Sequence, residues 1–140
     1  MNQDILQMYH LLQEIAWQFS SHEFSGKCCG DLSLVEFMAL KKAAGHDQLT
    51  IQELGAALDF TKSGATRVID RLEKKGYVAR QESPLDGRIC CVMVTAKGTD
   101  VITSITEQYA ARLEEKLRGL EQQEIASVMS ALEILVKSMR

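Results

Sequence analysis

The sequence predicts a mainly α-helical fold with one small β-hairpin, and three observations support this prediction. Apolar residues recur at helical spacing in several long segments of the 140-residue chain. Two short strand-like segments flank a loop that holds the only proline. A short amphipathic helix immediately precedes the first of these strands. At 46% hydrophobic and 25% charged residues, the composition is that of one soluble globular domain with a real core.

Two helices are predicted before the amphipathic segment. The first runs from about Asp4 to Ser20, and a polar, glycine-containing loop follows it. Ser33 can cap a second helix that ends near Gly45. Apolar residues form a stripe along the first helix, namely Ile5, Met8, Leu11, Leu12, Ile15 and Phe19.

Residues 50–76 predict two short helices joined by a tight turn, which is a helix-turn-helix. Thr50 and Glu53 form a capping-box pattern at the start of the first of them. Thr61 is the predicted N-cap of the second helix, and Gly76 is its predicted left-handed stop. One face of this second helix is apolar and consists of Ala65, Val68, Ile69 and Leu72.

The residues after the helix-turn-helix predict a β-hairpin, and a hairpin in this position is a wing. Its strands are Tyr77–Glu82 and Ile89–Val94, and the loop between them can reach a neighbouring minor groove. Thr95 is expected to cap a long helix, which Gly119 breaks before a last helix begins. The sequence therefore predicts a winged helix-turn-helix flanked by terminal helices.

The polar face of the second helix predicts contact with DNA. Its hydroxyl and guanidinium groups can donate hydrogen bonds to base edges and phosphates, although a solvated helix face is the simpler alternative. Residues 61–91 carry a net charge of +3, whereas the rest of the chain carries −6. We expect Asp70 to pair with Arg67, Arg71 or Lys74, since phosphates would repel it. The candidate DNA contacts on this helix are Lys62, Ser63, Thr66, Arg67, Arg71 and Lys74.

Three segments of the chain together resemble the MarR family of bacterial transcriptional regulators. They are residues 61–78, the Ser-Pro-Leu-Asp-Gly-Arg loop at 83–88, and Val-Thr-Ala-Lys-Gly at 94–98. The resemblance covers the whole chain and implies a single domain over residues 1–140. Within it, the winged helix-turn-helix lobe spans about 33–98, and dimerisation helices span about 1–20 and 99–140. The resemblance also implies that Arg88 enters the minor groove while Asp86 holds its guanidinium. Gly87 stands where a basic residue is more common in the family.

The implied function is that of a sequence-specific DNA-binding transcriptional regulator, a homodimeric repressor on a palindromic operator. Two-fold symmetry would place the recognition helices on half-sites ~34 Å apart. An effector held between the dimer helices and the DNA-binding lobe would release it by changing the spacing of the recognition helices. The candidate effectors are a small aromatic or phenolic acid, or an oxidant or soft metal acting at Cys28 and Cys29. No cofactor is required and no enzyme motif is found. The alternatives are a winged-helix protein-interaction module without DNA binding and a thiol-based redox protein.

Two pairs of adjacent cysteines are the unusual feature of the sequence. Cys90 and Cys91 lie on a predicted strand, so they face opposite ways and one is expected to pack in the core. Cys28 and Cys29 lie in the polar loop, where soft thiolates suit oxidation or metals such as zinc. Inert thiols are the alternative reading for both pairs. The candidate metal ligands are Cys28, Cys29, Glu23 and His22.

The N-terminus has no signal-peptide pattern, and no apolar segment approaches the length that spans a membrane. We therefore expect a cytoplasmic protein with no membrane partner, whose thiols are reduced.

Overall fold

The computed structural model describes residues 1–23, 31–82, 85 and 87–140. Within that part of the chain there are six helices and a small antiparallel sheet of three strands, which confirms the mainly α-helical prediction. The elements in order are α1 (Gln3–Glu23), α2 (Leu34–Ala44), β1 (Leu49–Thr50), α3 (Ile51–Ala57), α4 (Lys62–Lys74), β2 (Val78–Glu82), β3 (Cys90–Val94), α5 (Ala96–Lys116) and α6 (Gln122–Met139).

The helix-turn-helix consists of α3 and α4, and local capping defines both helices. The hydroxyl of Thr50 accepts a hydrogen bond from the Glu53 amide at 3.0 Å, and that of Thr61 accepts one from the Gly64 amide at 3.0 Å. Asp59 adopts a left-handed φ of 57° in the turn between them, a conformation that aspartate tolerates better than most residues. Gly76 ends the second helix at φ 85°, as the sequence predicts.

The core of the lobe lies between α4, α2, α3 and the sheet. The predicted apolar face of α4 is buried throughout, with Val68, its most exposed member, at 5%. Leu40 of α2, Leu54 of α3 and Val92 of β3 are also fully buried. Because the opposite face of α4 is polar, burial of this stripe fixes which side chains the helix presents to solvent.

The sheet has the order β1-β3-β2, and its first strand was not predicted. Leu49 of β1 lies opposite Val92, while Val78 of β2 lies opposite Val94. A strand of two residues has too few positions to show the alternation from which strands are predicted. Cys91 is buried and Cys90 is half-buried, which confirms that one thiol of the pair packs in the core.

The contacts of the chain divide it into two compact units, residues 1–106 and 107–140. In the second unit, α6 contains no buried residue, and Met129 and Ile134 are more than half exposed. In the first unit, α1 exposes large apolar side chains along its length, including Ile5, Leu11 and Trp17. Across the described residues, none of the helices combines the length and apolar character needed to cross a membrane.

Candidate nucleic-acid interface

The polar face of α4 begins at its N-terminal end. Lys62, Ser63 and Arg67 are exposed and Thr66 is half-buried, and these residues share one open surface. The Thr66 hydroxyl donates to the Lys62 carbonyl at 2.9 Å, so its oxygen remains available as an acceptor. This surface therefore offers cationic donors together with hydroxyl groups, the combination that base edges and phosphates require.

The wing and α4 meet at one cleft. Its volume is about 640 Å³, and it is lined by Lys62 and Thr66 from α4, Glu53 from α3, and Arg88 and Cys90 from the wing. The structure thus brings Arg88, a residue from the predicted wing contact, next to two residues from the predicted helix contact. Asp86, its predicted partner, lies outside the described residues.

The two acids of α4 are bound to the wing, and here one sequence prediction is wrong. Asp70 pairs with Arg80 of β2, not with a cation of its own helix. Arg80 also donates to Glu73 at 2.7 Å, and its backbone amide donates to the same carboxylate at 3.2 Å. The hydrogen bond that Arg80 donates to the Asp70 carboxylate is the main reason that the pKa of Arg80 is raised. Neither pairing has a signal at helical spacing, because Arg80 lies on another element.

Neutralisation of these acids leaves α4 with an excess of positive charge. Lys62, Arg67 and Lys74 have no ion-pair partner among the residues that the structure describes. Lys74 and Arg71 lie in the last turn of the helix and are exposed. A face with uncompensated cations on an otherwise acidic chain is a surface for a polyanion.

The C-terminal end of α4 is held by polar contacts that sequence reasoning missed. Lys75 donates to the Glu36 carboxylate at 2.6 Å and to the backbone carbonyl of Asp31. Lys97 donates to the Lys75 carbonyl at 2.8 Å, and the Tyr77 hydroxyl donates to Asp31 at 2.9 Å. Burial is the first cause of a raised pKa for Tyr77, and the hydrogen bond to Asp31 is the second. These contacts fix the helix end against α2 and the start of α5.

The other predicted sites are described only in part. Cys28 and Cys29 lie outside the described residues, as do the side chains of His22 and Glu23. Within the described residues, no group of three or more His, Cys, Asp or Glu side chains is placed to hold a metal ion. The sensing role that the sequence raises for the cysteines therefore stays a prediction.

The fold and this surface define a winged helix-turn-helix protein. A family model described as MarR family matches residues 31–89, which run from just before α2 to the residue before β3. The regulator MhqR of Bacillus subtilis is 28% identical over 94 residues, which are 67% of this chain and 65% of that protein. The chain thus spans about two thirds of the length of this relative.

Solved structures share the architecture. A MarR family protein from Bacillus stearothermophilus superposes with a TM-score of 0.87 at 24% identity, covering 99% of this chain and 98% of that one. Streptococcus pneumoniae FabT in complex with DNA superposes with a TM-score of 0.81 at 22% identity, covering 96% of each chain. Over its winged helix-turn-helix lobe the chain is thus similar to the MarR family, whose members are transcriptional regulators and not enzymes.

Proposed function

We propose that this protein is a sequence-specific DNA-binding regulator that acts as a homodimeric repressor. The observation that carries the proposal is the cleft where Arg88 of the wing faces Lys62 and Thr66 of α4. A recognition helix in the major groove and a wing beside it would use these residues together. FabT, whose structure was solved with DNA, has the same fold.

The DNA-contacting set is Lys62, Ser63, Thr66, Arg67, Arg71 and Lys74 of α4 with Arg88 of the wing. Asp86 would hold the Arg88 guanidinium through charge-assisted hydrogen bonds. The cations without ion-pair partners on α4 would displace counterions from phosphates, which makes binding strongly salt-dependent. Ser63 and Thr66 would add hydrogen bonds to base edges.

Dimer formation is proposed from the exposed apolar side chains of the terminal helices. A monomer in water rarely leaves residues such as Trp17 of α1 at 64% and Ile134 of α6 at 63% exposure on long apolar surfaces. A second copy would cover these surfaces and place two α4 helices on a palindromic operator. Binding of the dimer over a promoter would repress transcription.

Release would follow from an effector that favours a dimer unable to fill both half-sites. The candidate effectors are a small organic acid, an oxidant or a soft metal, with Cys28, Cys29, Cys90 and Cys91 as candidate sensors. DNA binding itself would require no cofactor. A regulator of this kind acts on the chromosome and therefore in the cytoplasm.

The test is fluorescence anisotropy with a duplex that the wild-type protein enriches from a randomised pool. We expect binding that weakens steeply as salt rises, and a loss of ~1–3 kcal/mol on Arg88→Ala. Arg118→Ala, which removes the same charge from an exposed site between α5 and α6, is the matched control and should change affinity little. Failure to enrich any duplex would contradict DNA binding and favour the protein-interaction alternative.

A further inference from the structure

Glu36 stands apart from the other charged side chains of the lobe. Among the described residues it is the only charged one that is buried, at 6% exposure. A buried carboxylate is costly unless cations and hydrogen bonds compensate it. Glu36 lies in the first turn of α2, where an exposed acid would stabilise the helix equally well. Its burial therefore needs another explanation.

The two carboxylate oxygens of Glu36 face two different cations of the recognition helix region. Oε2 accepts a hydrogen bond from Lys75 Nζ at 2.6 Å, and Lys75 also donates to the backbone of Asp31. Oε1 lies 3.5 Å from Arg71 Nε. Lys75 is thus committed to contacts within the lobe, whereas the Arg71 side chain remains 51% exposed.

The contact with Arg71 is made through the inner nitrogen of its guanidinium. Nε makes the ion pair with Glu36, and no other ion pair of Arg71 is found among the described residues, which leaves the two terminal amino groups for an external partner. A free arginine side chain loses considerable rotamer entropy when it binds, and one that is already oriented loses less. A carboxylate behind an exposed arginine therefore favours bidentate binding of acceptor atoms such as phosphate oxygens.

We propose that Glu36 is a positioning residue of the DNA interface, which orients Arg71 through Nε toward a phosphate or base. The inference rests on the proposed function and adds to it a residue that does not itself meet DNA. Glu36 would orient Arg71 at the C-terminal end of α4, as Asp86 would orient Arg88 in the wing.

A double-mutant cycle tests this role. Glu36→Gln keeps the size of the side chain and an acceptor oxygen for Lys75 but removes the charge that attracts Arg71. We expect it to weaken binding to the enriched duplex about five- to tenfold, and to lower the slope of log affinity against log salt by about one if Arg71 meets a phosphate. In an Arg71→Ala background, the same substitution should weaken binding less than about twofold, since coupled residues are not additive.

Two control variants separate positioning from other effects. Asp47→Asn removes the same charge from an exposed turn, and long-range attraction of DNA should strengthen its binding slightly, opposite to the effect expected for Glu36→Gln. Lys62→Ala removes a cation at the other end of α4, and Glu36→Gln should keep its full effect in that background.

The outcomes are distinct. An equal effect of Glu36→Gln with and without Arg71 would mean that Glu36 only stabilises the lobe, and would overturn the inference while the proposed function stands. Unchanged affinity of Glu36→Gln would overturn it as well. If the wild-type protein enriches no duplex, the proposed function fails, and the inference fails with it.

Discussion

Helix α4 and the last helix, α6, carry similar apolar patterns but differ in how far those apolar residues are buried. Both carry apolar residues at helical spacing, but the stripe of α4 is buried to 5% exposure or less, whereas α6 has no buried residue. The chain provides α4 with a sheet and two helices to pack on. The apolar residues of α6 are not covered within their own compact unit. A second copy of the chain is therefore their proposed partner.

The comparison extends to charge. The acids of α4 are paired to Arg80 from the wing, so Lys62, Arg67 and Lys74 of that helix remain for an external anion. On α6, Glu124 completes a capping box with Glu121 at the start of the helix, where acids stabilise it locally. In the lobe, polar contacts between different elements therefore leave one face of α4 positively charged. In α6, polar contacts stabilise only the start of the helix itself.

The largest expected effect is on the stability of the lobe. A Cβ at Gly98 of α5 would lie 2.2 Å from the Tyr77 carbonyl oxygen and 2.8 Å from a methyl of Val94. Gly98→Ala should lower the free energy of unfolding by ~3–4 kcal/mol, because backbone must move to admit the methyl group. Urea denaturation at neutral pH measures the change.

Gly119→Ala, between α5 and α6, is the matched control. A Cβ there meets nothing within 4 Å, and the backbone is not left-handed. Its effect should stay within ~0.5 kcal/mol of wild type. Equal losses for both variants would contradict the view that the lobe is closely packed and the α5–α6 connection is open.

The second prediction concerns the apolar face of α6. Leu132→Glu places a charge on a side chain that is 41% exposed in the single chain, so the helix itself should tolerate it. In a dimer that buries this face, the charge should raise the dissociation constant ~30–100-fold, or ~2–3 kcal/mol. Analytical ultracentrifugation measures the constant, and circular dichroism checks that helix content is unchanged.

Ser130→Glu adds the same charge on a different side of α6, because two residues correspond to about 200° of helix rotation. It should leave the dissociation constant nearly unchanged. If Leu132→Glu has no larger effect than Ser130→Glu, the interface does not involve this face.

The sequence predicted those features whose causes lie within a few residues. The caps at Thr50 and Thr61 and the stop at Gly76 depend on groups no more than four positions away, and all three are observed. The polar face of α4 could be predicted for the same reason, since it follows from the helical period.

Features that depend on distant elements escaped prediction. Glu36 reads as an ordinary acid near a helix start, and only the packing of α2 against α4 makes it a buried partner of Lys75 and Arg71. The pairing of Asp70 with Arg80 likewise requires that β2 return beside α4. Such contacts leave no period in the sequence from which they could be inferred.

The smallest expected effect concerns the C-terminal end of α4, which is held by polar contacts with other elements, whereas no such contacts are found at the ends of α6 among the described residues. Burial first, and then the hydrogen bond to Asp31, raise the pKa of Tyr77 above its ordinary value of about 10. The folded state therefore favours the neutral phenol. The stability that this residue contributes is fully present below pH ~10 and is lost as pH rises through the folded-state pKa.

Tyr77→Phe should lower the free energy of unfolding by ~1 kcal/mol at neutral pH, because Asp31 loses a donor. This difference from wild type should shrink above pH ~10, since phenylalanine has no proton to lose. Urea denaturation of both proteins across this range measures it. In an Asp31→Asn background, this difference in free energy of unfolding should depend less on pH, because the carboxylate charge and hydrogen bond of Asp31 contribute to the raised pKa of Tyr77. Parallel curves for wild type and Tyr77→Phe would show that the Tyr77–Asp31 contact does not contribute to holding the end of the recognition helix in solution.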